Sequence, residues 1–252
     1  MTARAVTDTA IVTRRNLRHL IRTPQLLVFS TIQPVMFTLL FVYVFGGAIR
    51  TPGLQYVNYL VPGILTQTTL FGGTATAIGL SQDLNEGMID RFRSLPMSRA
   101  AVLAGRTLAD AVRNVFVIGL IVGVGTAVGF RFHGSAGGAI VAFGIALLFG
   151  YAFSWVFAVV ALIVRQVEGA QVASLLIVFP LVFASSAFVP VASMPGWLQV
   201  FTRHQPVSIT VSAVRALTQG TGAGTLPLTS VAWSLGILAV AAPLAVTLYR
   251  RL

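Results

Sequence analysis

The chain of 252 residues contains no cysteine and no lysine, and only 9% of its residues are charged. Without cysteine it can form no disulfide, no thiolate metal site and no cysteine nucleophile. Without lysine it cannot build the nucleotide-binding loop G-x-x-x-x-G-K-[ST], whose lysine reaches the β- and γ-phosphates of ATP. Any ATP-driven work that involves this chain must therefore be powered by another polypeptide.

Hydrophobic residues, by contrast, make up 56% of the chain, and its mean hydropathy is +0.87. These values lie far outside the averages for soluble globular domains. A helix needs about 20 predominantly apolar residues to cross a bilayer. The chain is therefore long enough for six crossings with modest loops, and it leaves no room for a large soluble domain.

Six nearly uncharged stretches meet this requirement, and in lipid their backbone polar groups can be satisfied only within helices. They predict spans at 26–48, 56–80, 107–130, 137–164, 170–191 and 226–249, the third having its uncharged part at 114–130. Pro34, Pro62, Pro180 and Pro243 lie inside four of these spans and predict kinks, not breaks. The predicted fold class is an all-α integral membrane protein with six transmembrane helices.

The distribution of the arginines predicts how these spans are oriented in the membrane. Arg50, Arg131, Arg203 and Arg215 fall on one side of the predicted membrane, and all other arginines fall on the opposite side with all six acidic residues. Cytoplasmic loops carry the excess of basic residues, so we expect both termini in the cytoplasm and the chain in a bacterial cytoplasmic membrane. Because the arginines are divided among several loops, we expect no nucleic-acid partner.

Two segments outside the spans have amphipathic character. Within residues 1–25, Ile11, Leu17 and Leu20 alternate with arginines, which predicts an amphipathic helix on the membrane surface ahead of a single transmembrane domain at 26–252. Residues 192–225, between spans five and six, are too polar to span and too apolar to extend freely into water. They predict short helices at the outer membrane face.

The cytoplasmic connection between spans two and three carries the most informative motif. Met88, Ile89, Phe92 and Leu95 recur at i, i+1, i+4 and i+7, which predicts a short helix over 86–95 with one apolar face. A helix of this kind can lie on the lipid surface or dock in a groove of a soluble partner.

This connection resembles that of the permease subunits of ABC-2 type exporters, particularly the daunorubicin- and doxorubicin-resistance type. The resemblance rests on Glu86-Gly87, the apolar pair Met88-Ile89, the run Arg91-Phe92-Arg93-Ser94-Leu95-Pro96-Met97-Ser98, and Gly105-Arg106. Met194-Pro195-Gly196-Trp197 and His204-Gln205-Pro206 extend it into the outer segment. The resemblance implies a type V exporter-like fold in which residues 86–95 form the coupling helix that inserts into the nucleotide-binding subunit.

The resemblance also implies partners, cofactors and cargo. Two copies of an ABC ATPase would hold ATP and Mg²⁺, and a second permease copy, identical or related, would complete the membrane part. This chain itself would hold no cofactor, and its cargo would be a lipid or an amphiphilic drug. The residues implied to contact the ATPase are Glu86, Gly87, Met88, Ile89, Asp90, Arg91, Phe92, Arg93 and Leu95.

Polar residues inside the spans are candidates for the substrate path, because polar groups that face lipid are costly. In exporters of the resembled family, spans two and five line the route between the two permease copies. The candidates here are Gln33, Thr66, Gln67, Thr69, Gln171, Ser174 and Ser185. Hydrogen bonding between helices explains each of them singly without any substrate, and Gln67 stands out from the rest.

A secondary transporter or channel that uses no ATP is the alternative function. Inverted repeats and mid-membrane charges would favour it, and the two halves of the chain show no convincing similarity. A catalytic or metal site is not expected, since His133 and His204 fall on the outer side, where no carboxylate is available to join them. We therefore expect enzymatic activity only in a complex with the ATPase.

Overall fold

The computed structural model describes residues 3–22, 24–49, 51, 53–88 and 99–251. In these ranges all regular structure is helical, which confirms the all-α prediction. The helices are α1 (Ala3–Arg22), α2 (Pro24–Leu40), α3 (Tyr56–Asn85), α4 (Arg99–Ala127), α5 (Ala136–Val164), α6 (Val167–Phe183), α7 (Gly196–His204), α8 (Pro206–Gln219) and α9 (Leu226–Arg251). A π-helical turn (Phe41–Phe45) continues α2, and a 3₁₀ turn (Val191–Ser193) precedes α7.

Three of these helices, α4, α5 and α9, are long and apolar enough to cross a membrane, judged by length and composition. The apolar helices at 31–45 and 167–183 are shorter. Helix α3, of 30 residues, is as long as these but is not among the helices judged apolar enough by the same measure. All four prolines predicted to kink their helices lie inside α2, α3, α6 and α9, and each helix continues past its proline. The number of crossings stays a prediction.

Helix α3 is the centre of the bundle. It contacts α2, α4, α5, α6 and α8, and nearly every residue from Tyr56 to Leu70 is buried. Because protein surrounds it, α3 can carry threonines and Gln67 where a lipid-facing helix could not. Residues of α3 therefore line the cavity and contact the charged residues of α4 that are described below.

Helix α6 ends at Phe183, whereas the fifth predicted span runs to 191. The Ser185 hydroxyl accepts a hydrogen bond from the Ala187 amide and donates one to the Val182 carbonyl, so the side chain replaces helical backbone bonds. The chain then crosses α3 at Gly63, where an added Cβ would lie 2.2 Å from the Ala187 carbonyl oxygen. Glycine at 63 thus permits the close contact between α3 and the segment 184–190.

The outer segment folds into α7 and α8, and Arg215 of α8 fastens it to α3. Its guanidinium donates to the carbonyls of Tyr59 and Ser186 at 3.0 and 2.8 Å and stacks 3.5 Å from the Tyr59 ring centroid. Burial lowers the pKa of Arg215 to about 10, so it stays charged at neutral pH. The Tyr59 hydroxyl donates to the Ser186 and Val189 carbonyls, both at 3.0 Å. These contacts tie α3, α8 and the segment 184–190 together.

Candidate functional site

A cavity of about 380 Å³ lies between α2, α3, α4 and α6. Gln33 of α2, Gln67 of α3 and Gln171 of α6 line it, so three residues predicted for the substrate path share one cavity. Gln33 and Gln171 are exposed and mark its open side, whereas Gln67 lies at its inner end. Phe37 and Phe71 add aromatic surface to the lining. The cavity therefore combines an apolar wall with a few convergent amides, a combination typical of small-molecule sites.

Gln67 is the most deeply placed of these amides. Its side chain is only 4% exposed, and its Oε1 has no hydrogen-bond partner among the residues that the structure describes. A buried polar atom without a partner costs about 1–3 kcal/mol, and such atoms in native structures call for an explanation. A bound group that donates a hydrogen bond to Oε1 would remove this cost. The cavity thus suits an apolar molecule with at least one donor.

The side of the cavity opposite its opening is closed by α4, through Arg113 and Asn114. The Asn114 amide donates to the Thr69 carbonyl at 3.4 Å, and Arg113 donates to the Gly72 carbonyl. Both side chains are buried, at 7% and 2% exposure. The part of the cavity wall formed by Arg113 and Asn114 is thus polar and is held to α3 by hydrogen bonds to backbone carbonyls.

Arg113 is neutralised by Asp110, one helical turn earlier on α4. Their charged groups are 3.1 Å apart, and the side chains are 7% and 10% exposed. The Asp110 carboxylate also accepts a hydrogen bond from the Thr76 hydroxyl of α3. This buried ion pair joins α3 and α4 directly below the cavity.

Four other predicted path residues do not line the cavity. Thr66 and Thr69 donate to the Pro62 and Thr66 carbonyls at 3.1 and 2.8 Å, and Ser174 donates to the Ala170 carbonyl at 2.7 Å. Ser185 takes part in the turn after α6. All four hydroxyls are satisfied by backbone carbonyls in their own helix or turn, so none of them needs a substrate, and these bonds lie within one helix or turn and not between helices as expected.

Helix α3 ends where the predicted coupling segment begins. The Glu86 and Gly87 amides donate to the Gln82 and Leu84 carbonyls at 2.9 and 3.3 Å, and Gly87 has φ +67°. Glycine adopts this left-handed conformation at little cost and commonly ends helices in this way. Glu86 and Gly87 are exposed and Met88 is half-buried. Ile89, Asp90, Arg91, Phe92, Arg93 and Leu95 lie outside the described residues.

Asp83, one turn before this end, binds two other helices. Its carboxylate oxygens lie 3.4 Å from the Arg15 guanidinium of α1 and 3.3 Å from that of Arg106 on α4. Arg106 passes across α3 at Gly79, where a Cβ would collide with the guanidinium. We call Arg15, Asp83 and Arg106 the charged bridge. It connects α1, α3 and α4 about one helical turn before Glu86, where the predicted coupling segment begins.

The sequence places Asp110, Arg113 and the three charged-bridge residues on the predicted cytoplasmic side but assigns none of them to a functional site. A long helix that begins before the third span would have indicated that these charges lie close to α3. Helix α4 begins at Arg99 and carries Arg106, Asp110 and Arg113 on one continuous helix. Opposite charges three residues apart on a helix lie close together. In the part of the chain that the structure describes, no group of three or more histidines or carboxylates could hold a metal ion.

Comparison with known proteins gives a consistent result. The family model for ABC-2 type transporters matches residues 7–218. The chain is 34% identical over 227 residues to the daunorubicin resistance ABC transporter permease protein DrrB1 of Streptomyces coeruleorubidus, covering 90% of this chain and 80% of that protein. It is 30% identical over 251 residues to the probable doxorubicin resistance ABC transporter permease protein DrrC of Mycobacterium tuberculosis, covering 98% and 89% respectively. A putative transport permease, ycf38 of Cyanophora paradoxa, is 26% identical over 211 residues, covering 82% of this chain and 72% of that protein.

Proposed function

The chain belongs to the ABC-2 type transporter family, and we propose that it is the membrane permease of an exporter powered by a separate ATP-binding cassette subunit. The observation that carries the proposal is the family match over residues 7–218, in a chain that has no lysine for a P-loop. Two permease copies would work with two ATPase subunits, which hold ATP and Mg²⁺. Both termini and residues 86–95 would lie in the cytoplasm.

The cargo is an amphiphile, a lipid or a drug, with an apolar body and a hydrogen-bond donor. The cavity supports this choice because its lining pairs Phe37 and Phe71 with Gln33, Gln67 and Gln171. The resistance proteins to which the chain is similar are named for daunorubicin and doxorubicin, and we propose a cargo of that general kind.

The second permease copy would pack on the face formed by α2 and α6. Apolar side chains on this face are exposed in the single chain, among them Met36 at 52%, Leu176 at 71% and Phe179 at 45%. Gln33 and Gln171, which mark the open side of the cavity, belong to the same two helices. A partner on this face, identical or closely related, would close the cavity toward the lipid.

The first test is association with an ATPase. We expect an ATP-binding cassette subunit from the same genome, co-expressed with this chain, to co-purify with it in detergent. Replacing Ile89 and Phe92 together by aspartate should abolish co-purification, because charges cannot fill an apolar groove. The matched control is Trp197→Asp with Val200→Asp, which places two aspartates at exposed apolar positions of α7 on the predicted outer side. Co-purification that survives the Ile89 and Phe92 changes would refute the coupling role of 86–95.

The second test concerns Gln67. Gln67→Met keeps the side-chain length but removes the acceptor, so we expect the apparent KM for a transported amphiphile to rise about threefold to tenfold, the value of one hydrogen bond. Thr66→Val is the control, because the Thr66 hydroxyl bonds the Pro62 carbonyl and does not line the cavity. Initial uptake rates into inverted vesicles give both values. Equal KM values for the two variants would remove Gln67 from the substrate path.

A further inference from the structure

A second cavity, of about 750 Å³, lies between α1 and α4 on the side of the chain predicted to be cytoplasmic. Val6, Leu17, Leu108 and Val112 give it an apolar lining, and among the described residues only Arg14 and Arg18 bring charge to that lining. We call it the α1–α4 groove. Its volume lies within the range of about 300–1,000 Å³ that is usual for small-molecule sites.

Helix α1 packs against α4 along one edge of the groove, and this contact sets the distance between the two helices. Val12 of α1 is 2% exposed and sits against Gly105 of α4, where an added Cβ would lie 2.6 Å from the Val12 Cβ. Arg15 joins the charged bridge through Asp83. Helix α1 therefore does more than rest on the membrane surface, since it packs on α4 and leaves a defined groove beside the contact.

Arg14 and Arg18 lie one turn apart on α1, so their guanidinium groups share one edge of the groove. Both side chains are exposed, and neither takes part in an ion pair among the described residues. Two adjacent guanidinium groups bind a phosphate well, because each offers several donors in a planar fork. The two positive charges at this edge therefore favour the binding of an anion.

The apolar part of the groove continues along α4 into the uncharged part of the predicted third span, at 114–130. Leu108, Val112, Val115 and Phe116 are 39%, 49%, 54% and 56% exposed and form a stripe on one face of the helix. A ligand that placed an anion at Arg14 and Arg18 would thus have an apolar surface leading from that anion into the bilayer. A phospholipid has this arrangement of charge and chain.

We propose that the α1–α4 groove binds an anionic glycerophospholipid, with the lipid phosphate at Arg14 and Arg18 and an acyl chain along Leu108 and Val112. The site is separate from the cavity around Gln67 and does not depend on which cargo is exported. It attaches α1, and through Asp83 the root of the coupling segment, to the cytoplasmic leaflet.

Native mass spectrometry of the purified chain tests the proposal. With equal amounts of phosphatidylglycerol and phosphatidylcholine carrying the same acyl chains, we expect a retained adduct of phosphatidylglycerol. Arg14→Gln with Arg18→Gln should lower its apparent affinity about thirtyfold, as expected for two basic residues near an anionic headgroup. Arg14→Lys with Arg18→Lys keeps the charge and should restore most of the binding.

Two further variants make the result specific. Ala10→Trp fills the groove and leaves both arginines in place, so it should also remove the adduct. Arg131→Gln with Arg203→Gln removes two exposed arginines on the opposite side and should leave the adduct unchanged. Equal retention of phosphatidylcholine, or an adduct that persists in both the glutamine and the tryptophan variants, overturns the proposal.

Discussion

Removing one member of the Asp110–Arg113 pair is expected to destabilise the folded chain by about 3 to 5 kcal/mol, the usual cost of leaving a buried charge without its partner. The two side chains are 10% and 7% exposed, so water cannot replace the lost contact. Among the described residues, Arg113→Met would leave the Asp110 carboxylate with the Thr76 hydroxyl of α3 as its hydrogen-bond donor. Asp110→Leu would leave the Arg113 guanidinium with the Gly72 carbonyl. Denaturant titration in mixed micelles, followed by helical circular dichroism, gives the free energies of unfolding.

The double variant, Asp110→Leu with Arg113→Met, separates the pair from its surroundings. Replacing a buried ion pair by apolar residues of similar volume is often close to neutral, so the double variant should be more stable than either single variant. The expected interaction energy is at least about 2 kcal/mol. Arg203→Gln, at an exposed position of α7, serves as the control and should change stability by less than about 0.5 kcal/mol. Additive effects of the two single changes would show that the pair does not act as a unit.

Helices with uncharged sequence and polar boundaries could be located closely from the sequence. Helix α5 spans 136–164 against a predicted 137–164, and α9 spans 226–251 against 226–249. Both are largely apolar, and α5 begins directly after its N-cap Ser135, whose hydroxyl accepts a hydrogen bond from the Gly138 amide. The local sequence is therefore enough to locate the ends of these two helices.

The end of α6 could not be located in this way. Residues 184–191 are as apolar as a span, and the helix stops because Ser185, Tyr59 and Arg215 supply hydrogen bonds that compete with helical ones. Two of these three residues come from other helices. A sequence window shows neither partner, and so the predicted span ran eight residues too far, to 191 instead of Phe183.

The candidate cavity was predictable in part for a similar reason. An amide in an apolar stretch is conspicuous, and on that ground the sequence predicts Gln33, Gln67 and Gln171 as path residues, all three of which line one cavity. Arg113 and Asn114 also line it, yet a charge beside an apolar stretch is the normal mark of a span boundary. Only the packing of α4 against α3 distinguishes a boundary arginine from a buried one.

Asp83→Asn is expected to lower transport per ATP hydrolysed about thirtyfold, without loss of ATPase binding. The change keeps the side-chain shape but removes the charge that holds Arg15 and Arg106 at 3.4 and 3.3 Å. Two charge-assisted hydrogen bonds, partly exposed, are together worth about 2 kcal/mol, which corresponds to about thirtyfold in an equilibrium constant. If the ATPase moves residues 86–95, the two contacts of Asp83 transmit this movement to α1 and α4. Transport and ATP hydrolysis measured in the same reconstituted vesicles give the ratio.

Exchange of charges tests whether Asp83 acts through the charged bridge or only supports the end of α3. Asp83→Arg alone should lower transport per ATP hydrolysed further than Asp83→Asn does, because the new arginine lies beside Arg15 and Arg106. Combined with Arg106→Asp it restores one oppositely charged contact between α3 and α4, so the ratio of transport to hydrolysis should recover at least about tenfold. A purely structural role predicts instead that thermal stability and transport fall together in all three variants. Normal coupling in a stable Asp83→Asn protein would show that the motion reaches α4 by the α3–α4 contacts around Asp110 alone.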